Sequence, residues 1–180
     1  MTMEPIDESG MRFGPYPEGQ CFYIEKSQCY QSIQKSVKMA EFLLLRQQKG
    51  GLTVWVVEAK SSSPRPEIQP NFAAFIDGIR NKLTHGFLLT VAAHLQRHPA
   101  AANELPESFK TLNLQTLGFR FVLVINGHKQ EWLPPLQSAL SLALQPIVKT
   151  WALPAIAVTV LNHELAEKYG LILPAAATSP

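Results

Sequence analysis

The sequence predicts an α/β domain: a mixed central β-sheet with an antiparallel front hairpin, parallel βα crossovers and helices on both faces. Three observations predict it. Residues 37–60 hold two apolar runs of strand length, VKMAEFLLLR and LTVWVVEAK, separated by QQKGG. Beyond them, strand-like and helix-like segments alternate, the pattern of parallel crossovers. Both hairpin runs are also nearly continuous in apolar residues, as befits central strands covered on both sides.

The elements follow in order. Residues 1–20 carry Pro5, Gly10, Gly14, Pro15, Pro17 and Gly19, a density that predicts a turn-rich lead-in. CFYIEKSQCYQSI (21–33) is rich in aromatic and β-branched residues and reads as one bent strand or a hairpin. A turn near Glu25 would set Cys21 opposite Cys29; in a reducing compartment both are expected as free thiols. In the main hairpin, Gly50 and Gly51 are expected to supply the positive φ of the turn. SSSPRPEIQP then forms a Ser/Pro loop. A long helix is expected from Asn71 to about Arg97, because Phe72, Phe75, Ile76, Ile79, Leu83, Phe87 and Val91 form one apolar stripe. Residues 99–117 read as a polar connection, and FRFVLVIN (119–126) as a buried strand ended by Gly127. A helix follows over 133–151, kinked or divided at Pro146. AIAVTVLN (155–162) is the last strand, and 163–169 a short helix stopped by Gly170. The domain is expected over 21–173, with a loose tail at 174–180.

Composition narrows the function. The 180 residues are 46% hydrophobic and 17% charged, with a mean hydropathy of +0.01. That is ample for a core and argues against a disordered chain. The formal charge of +2 gives no global field for holding a polyanion, so phosphate binding would need local clustering. Two cysteines are too few for a disulfide framework or a cysteine-rich zinc site. No signal-like leader and no run of about 20 apolar residues is visible, so the expectation is a cytoplasmic protein with no membrane role.

Two acids and a lysine stand out in the hairpin: Glu41 in MAEFLLL, and Glu58 with Lys60 in VVEAKSS. A turn closing on Lys49-Gly50, or on Gln48 to Gly51, sets Glu41 directly opposite Glu58, on one face with Cβ atoms about 4.5–5.5 Å apart. Lys60 points the same way, because side chains alternate with period two. Like charges so close need compensation. One solution is a hard divalent cation such as Mg²⁺, with Mn²⁺ as substitute, held by Glu41, Glu58 and the carbonyl of Ala59. Lys60 would then orient or deprotonate a water, or steady developing phosphorane charge. The plainer reading is an ion pair at the sheet rim.

The stretches Lys38-Met39-Ala40-Glu41-Phe42 and Val56-Val57-Glu58-Ala59-Lys60, joined by a glycine turn, resemble the PD-(D/E)XK nuclease superfamily, the restriction-endonuclease-like fold. The following helix, strand, helix and strand fit the rest of that core. The resemblance implies Glu41 and Glu58 as metal ligands, Lys60 as the catalytic lysine, and Mg²⁺-dependent hydrolysis of phosphodiesters, of DNA rather than RNA. It spans about residues 21–162. Glu41 replaces the family's usual aspartate, no proline precedes it, and no clear helix opens the domain; Glu25 is the acid on hand to stand in for the one that helix often bears. The alternative is an inactive member of the fold, serving as a binding or assembly module in a restriction, defence or DNA-processing system.

Lys82 and Arg80, with His85, lie on the long helix within reach of substrate phosphates, or else on a solvated face. His94 and His98 have helical zinc-ligand spacing but no third ligand nearby. His128 and His163 read as loop and cap residues, and Ser61, Ser62 and Ser63 as loop polar groups with no histidine near them. Trp55, Trp132 and Trp151 read as core or interface residues, Trp55 facing away from Glu58. Helix 133–151 either pairs subunits in a homodimer or fills the core, and a protein partner is a further expectation.

Overall fold

The main hairpin carries the fold. Strand β4 (Phe42–Gln48) pairs antiparallel with β5 (Gly51–Lys60) in the expected register, from Phe42 opposite Val57 to Gln48 opposite Gly51. The turn is Lys49-Gly50, and of the two glycines only Gly51 takes a positive φ, at 118°. In this computed structural model, which describes residues 3–172, β3 (Cys21–Phe22) flanks β4. Behind β5 come β6 (Gly118–Ile125) and β7 (Val158–Asn162), both parallel. The five strands lie in chain order, β3-β4-β5-β6-β7, in one mixed sheet.

Both faces are buried, which explains the unbroken apolar runs. Alternation sends Leu43, Leu45, Val54, Val56, Phe121 and Leu123 to one layer. There they meet helices α2 (Asn71–His94) and α5 (Leu133–Thr150), through Ile79, Leu83 and Phe87 of the first and Leu136 and Leu140 of the second. Phe42, Leu44, Trp55, Val57 and Val122 turn to the other layer. That layer is closed by α6 (His163–Lys168) and by a second, two-stranded sheet of β1 (Ile6–Glu8) and β2 (Met11–Phe13). The crossovers β5-α2-β6 and β6-α5-β7 thus put their long helices on one face.

Helix α2 is seated on β5 at Gly86. A Cβ there would lie 2.7 Å from Val56 Cγ1 and 3.1 Å from Ala40 Cβ, so only glycine lets the helix backbone come this close. Aromatic packing extends the seat: Phe87 meets Phe119, Phe121 and Trp151 edge-on. Trp55 lies opposite the Glu58 face, as alternation requires, between the guanidinium groups of Arg46 and Arg120.

Several segments differ from expectation. The lead-in is not only turns: Ser9 and Gly10 both take positive φ, 53° and 75°, the type I′ pattern of a two-residue hairpin. Residues 21–33 form neither a bent strand nor a hairpin. After β3 the chain makes a 3-10 turn (Ile24–Lys26) and one helical turn, α1 (Gln28–Gln31). Ser27 Oγ accepts from Tyr30 N–H, and Glu104 accepts from the amides of Gln28 and Cys29 at 2.8 and 2.9 Å, which satisfies the orphaned donors of that turn. Cys21 and Cys29 are buried free thiols, one in each core layer. The 99–117 connection holds two helical turns, α3 (Ala101–Glu104) and α4 (Glu107–Lys110), anchored by buried Leu105 and Phe109. Helix α5 continues through Pro146 without a break in its assignment; 155–157 is a 3-10 turn leading into β7. The expected tail, 174–180, lies outside the described residues. Among the described residues, no helix is long and apolar enough to cross a membrane.

Replacing Gly86 by alanine is expected to cost about 1–3 kcal/mol, the range for overpacking, despite alanine's better helix propensity. Urea denaturation would read this as a lower midpoint at unchanged slope.

Candidate metal centre at the carboxyl end of β5

Glu41 and Glu58 are two of the few charged side chains sealed inside the protein, at 4% and 0% exposure. Glu58 lies on β5 with its side chain on the α2 face. Glu41 stands one residue before β4, and its N–H donates to the Val57 carbonyl at 3.0 Å. The regular pairing ends at Phe42–Val57, so the directly opposed Glu41–Glu58 pair that the spacing predicts is not formed; the two acids are linked instead through Lys82, which contacts both.

Two lysines answer them from different elements. Lys60 Nζ is 2.6 Å from Glu58 Oε1. Lys82, from α2, places its Nζ 2.9 Å from the same oxygen and 3.6 Å from Glu41 Oε1. Gly86 explains the reach of Lys82. The two residues are one turn apart on one face of α2, and the close approach at Gly86 lowers that face onto the strand end. Both ammonium groups therefore converge on one carboxylate oxygen. Glu58 Oε2 and Glu41 Oε2 are buried with no hydrogen-bond partner.

Further acids approach from the amino-terminal segments. Glu25 sits in the 3-10 turn, and its N–H donates to the Glu41 carbonyl at 3.2 Å. Glu8 comes from the β1–β2 hairpin. A carboxylate oxygen from each of Glu8, Glu25 and Glu41 falls within 4.8 Å of the others. Tyr23 donates its hydroxyl to Glu8 Oε1. Glu25 therefore stands beside Glu41, carried by a 3-10 turn. Glu8 was not legible as a site residue; the Ser9-Gly10 turn between Ile6 and the Met11/Phe13 pair was the available signal.

Four carboxylates thus face three ammonium groups, because Lys26 Nζ also lies 3.6 Å from Glu25 Oε2. Burial, the Glu58 charge, and more weakly Glu25 and Glu8 push the Glu41 carboxyl up to about 8, against the pull of Lys82. Burial also raises Glu58, opposed by Lys82 and Lys60. Burial pulls Lys82 down, but Glu58, Glu41 and Glu25 together hold it up at about 12. Once deprotonated, the two acids with unpartnered oxygens suit a small divalent cation. Glu41 and Glu58 would hold it. Lys60's carbonyl accepts from Asn126 N–H on the β6 side at 2.8 Å. By alternation the Ala59 carbonyl points the other way, toward the edge that Glu41 vacates.

Of the proposed phosphate ligands, Lys82 joins the cluster and Arg80 does not. Arg80 lies two residues from Lys82 and turns its guanidinium to Asp77, at 2.5 Å. His85 Nδ1 contacts the Lys38 carbonyl at 2.9 Å, and His94 Nδ1 that of Phe109 at 3.0 Å, so both act as tethers. Ser63 does have a histidine near it: the fold brings His128 Nε2 to 2.9 Å from its Oγ, a pairing across 65 residues that local reading missed.

The raised carboxyls have a consequence for stability. Glu41 keeps its proton in the folded protein up to about 8, against 4.5 as its ordinary value. Between those values the native state binds more protons than the unfolded one, so stability is full below about pH 4.5 and declines as pH rises toward 8. In metal-free buffer the melting temperature is expected to fall across this window, and Glu41→Gln to flatten the fall. Mg²⁺ or Mn²⁺ is expected to raise the melting temperature more at pH 8 than at pH 5, because ligation needs the deprotonated acids. Thermal melts of both proteins with and without the ion check both statements.

The chain matches no family model, and no curated protein and no solved structure is found to be similar to it.

Proposed function

We propose that the protein is a Mg²⁺-dependent nuclease of the PD-(D/E)XK kind, hydrolysing phosphodiester bonds of DNA in the cytoplasm. The observation that carries this reading is the pair of buried, unpartnered oxygens, Glu41 Oε2 and Glu58 Oε2, beside Lys60 and Lys82. A bound divalent cation would polarise the phosphate and lower the pKa of a water. Glu41 and Glu58 would hold it, with the Ala59 carbonyl as a further ligand. Lys60, at 31% exposure the more open of the two lysines, orients the attacking water or takes its proton. Lys82 offsets the charge that gathers on the phosphate. Arg80, half-exposed on the flank of α2 with its Nε buried and unpartnered, is assigned to the flanking backbone of the nucleic acid.

The mixed sheet supports the reading, since the acids and Lys60 lie at the carboxyl end of a strand inside a parallel crossover, where α/β sheets place their ligands. A second reading is a module of this fold that binds or assembles without cutting. The small net charge of +2 favours it, because a nuclease acting alone gains from a basic face.

Plasmid nicking in Mg²⁺ or Mn²⁺ separates the two. The parent is expected to nick, and Glu58→Ala and Lys60→Ala each to lose about 10²–10⁴-fold, the range for removing a general acid–base group. Nicking that survives both substitutions would sink the assignment of these residues. Absence of nicking in the parent, with DNA still retained in a filter-binding assay, would establish the second reading.

A further inference from the structure

A cavity of about 510 Å³ opens between the loop after β5 and the start of α5. It lies on the face of the sheet that carries Glu58 and Lys60, since Leu136 at its base packs in the same layer as Val56. Ser63 on its wall is three residues past Lys60, a span of at most about 11 Å. The cavity is therefore beside the acid–lysine cluster, at the carboxyl ends of β5 and β6.

Its lining is built for a flat, polar-edged ring. Trp132 is 47% exposed at the rim. The His128 ring meets it edge-on, with centroids 5.5 Å apart, and Lys129 Nζ is 5.3 Å from the indole centroid. His128 is held at the backbone by Asn162, whose amide donates to its carbonyl at 3.0 Å, and at the ring by Ser63. Burial lowers the His128 pKa, so near neutral pH the Ser63–His128 pair offers uncharged hydrogen-bonding edges. Glu67, Glu131 and Arg65 also line the cavity. The carboxylates accept well from the exocyclic amino groups of a base, and the guanidinium donates to its ring nitrogen and carbonyl acceptors. The volume is in the range of small-molecule sites.

We infer that this cavity takes one nucleobase of the bound strand, next to the phosphate that lies at Lys60 and Lys82, with the base stacked on Trp132. The inference rests on the nuclease reading for its place in the reaction, but base binding is tested apart from cutting. An unpaired base fits such a cavity and a base inside a duplex does not, so the cavity selects single-stranded or locally opened substrate.

Ligand-observed saturation-transfer NMR on the full chain, in EDTA, with deoxycytidine 5′-monophosphate tests it. Saturation is expected on the cytosine protons in the parent, and to be lost in Trp132→Ala but kept in Trp132→Phe. The exposure of Trp132 makes a folded variant the expectation, which circular dichroism checks; His128→Ala serves as an independent second variant and is expected to weaken binding. 2-Deoxyribose 5-phosphate, which has no base, is expected not to compete. No transfer to the base protons, transfer that survives Trp132→Ala, or displacement by the baseless sugar phosphate would each overturn the inference. Plasmid nicking without base binding would remove this inference alone. Base binding without nicking would remove the nuclease reading and leave the cavity as a nucleotide site.

Discussion

Complete burial of the Glu58 carboxylate is the constraint around which the rest of the molecule is arranged. A lone carboxylate out of water costs several kcal/mol even after relaxation, and only close opposite charge offsets it. Lys60 supplies one ammonium from the same strand, and Lys82 supplies another from α2. The second is available only because α2 lies low over β5, and α2 lies low only because residue 86 has no Cβ. A helix seat, a strand end and an ion-pair network are thus one structural fact. The same seat sets Phe87 against Phe119 and Phe121, so apolar packing and charge compensation hold the helix in one position.

The compensation is incomplete by construction. Glu41 is also buried, just before the start of β4, and its nearest ammonium is 3.6 Å away on a lysine already bonded to the other acid. Glu25 and Glu8 add negative charge at the edge of the sheet, one from the turn after β3 and one from a hairpin packed on the other core layer. Three separate parts of the chain thus bring acids to the point where β4 begins and β5 ends. Folding alone gains nothing from such a gathering, since like charges at this distance repel.

The hairpin was the most legible part of the molecule because its information is local. Two apolar runs and a short glycine turn settle the parity of the paired strands, which puts Glu58 and Lys60 on one side; Glu41 lies just before that pairing. Lys82 was half-legible: the period of α2 puts it beside Leu83 on the buried stripe, but its contact with Glu58 depends on the depth of packing at Gly86, which periodicity does not report. What stayed hidden depends on distant partners. The aromatic and β-branched content of 21–33 reads as strand, yet the turn of α1 is stabilised by Glu104, 76 residues beyond Gln28. The Ser63–His128 pair likewise joins two loops that only the parallel pairing of β5 with β6 makes neighbours. The first hairpin turns on Ser-Gly rather than Asn-Gly or Asp-Gly, the strongest signals for a type I′ turn, and with it Glu8 escaped notice.

The distribution of the ammonium groups is uneven for an ion-pair network made for stability alone. Two lysines and two buried acids can satisfy each other most fully when each acid has its own cation and no oxygen is left bare. Here both lysines point at Glu58 Oε1, and the second oxygen of each acid has no partner. Replacing a buried ion-pair cluster with apolar residues is often neutral or stabilising, so stability gives little reason to keep so unbalanced a set. The two bare oxygens are buried near a lysine that still reaches solvent. The proposed function draws on this imbalance, which lies at the end of the sheet from which the loops toward the Trp132 cavity begin.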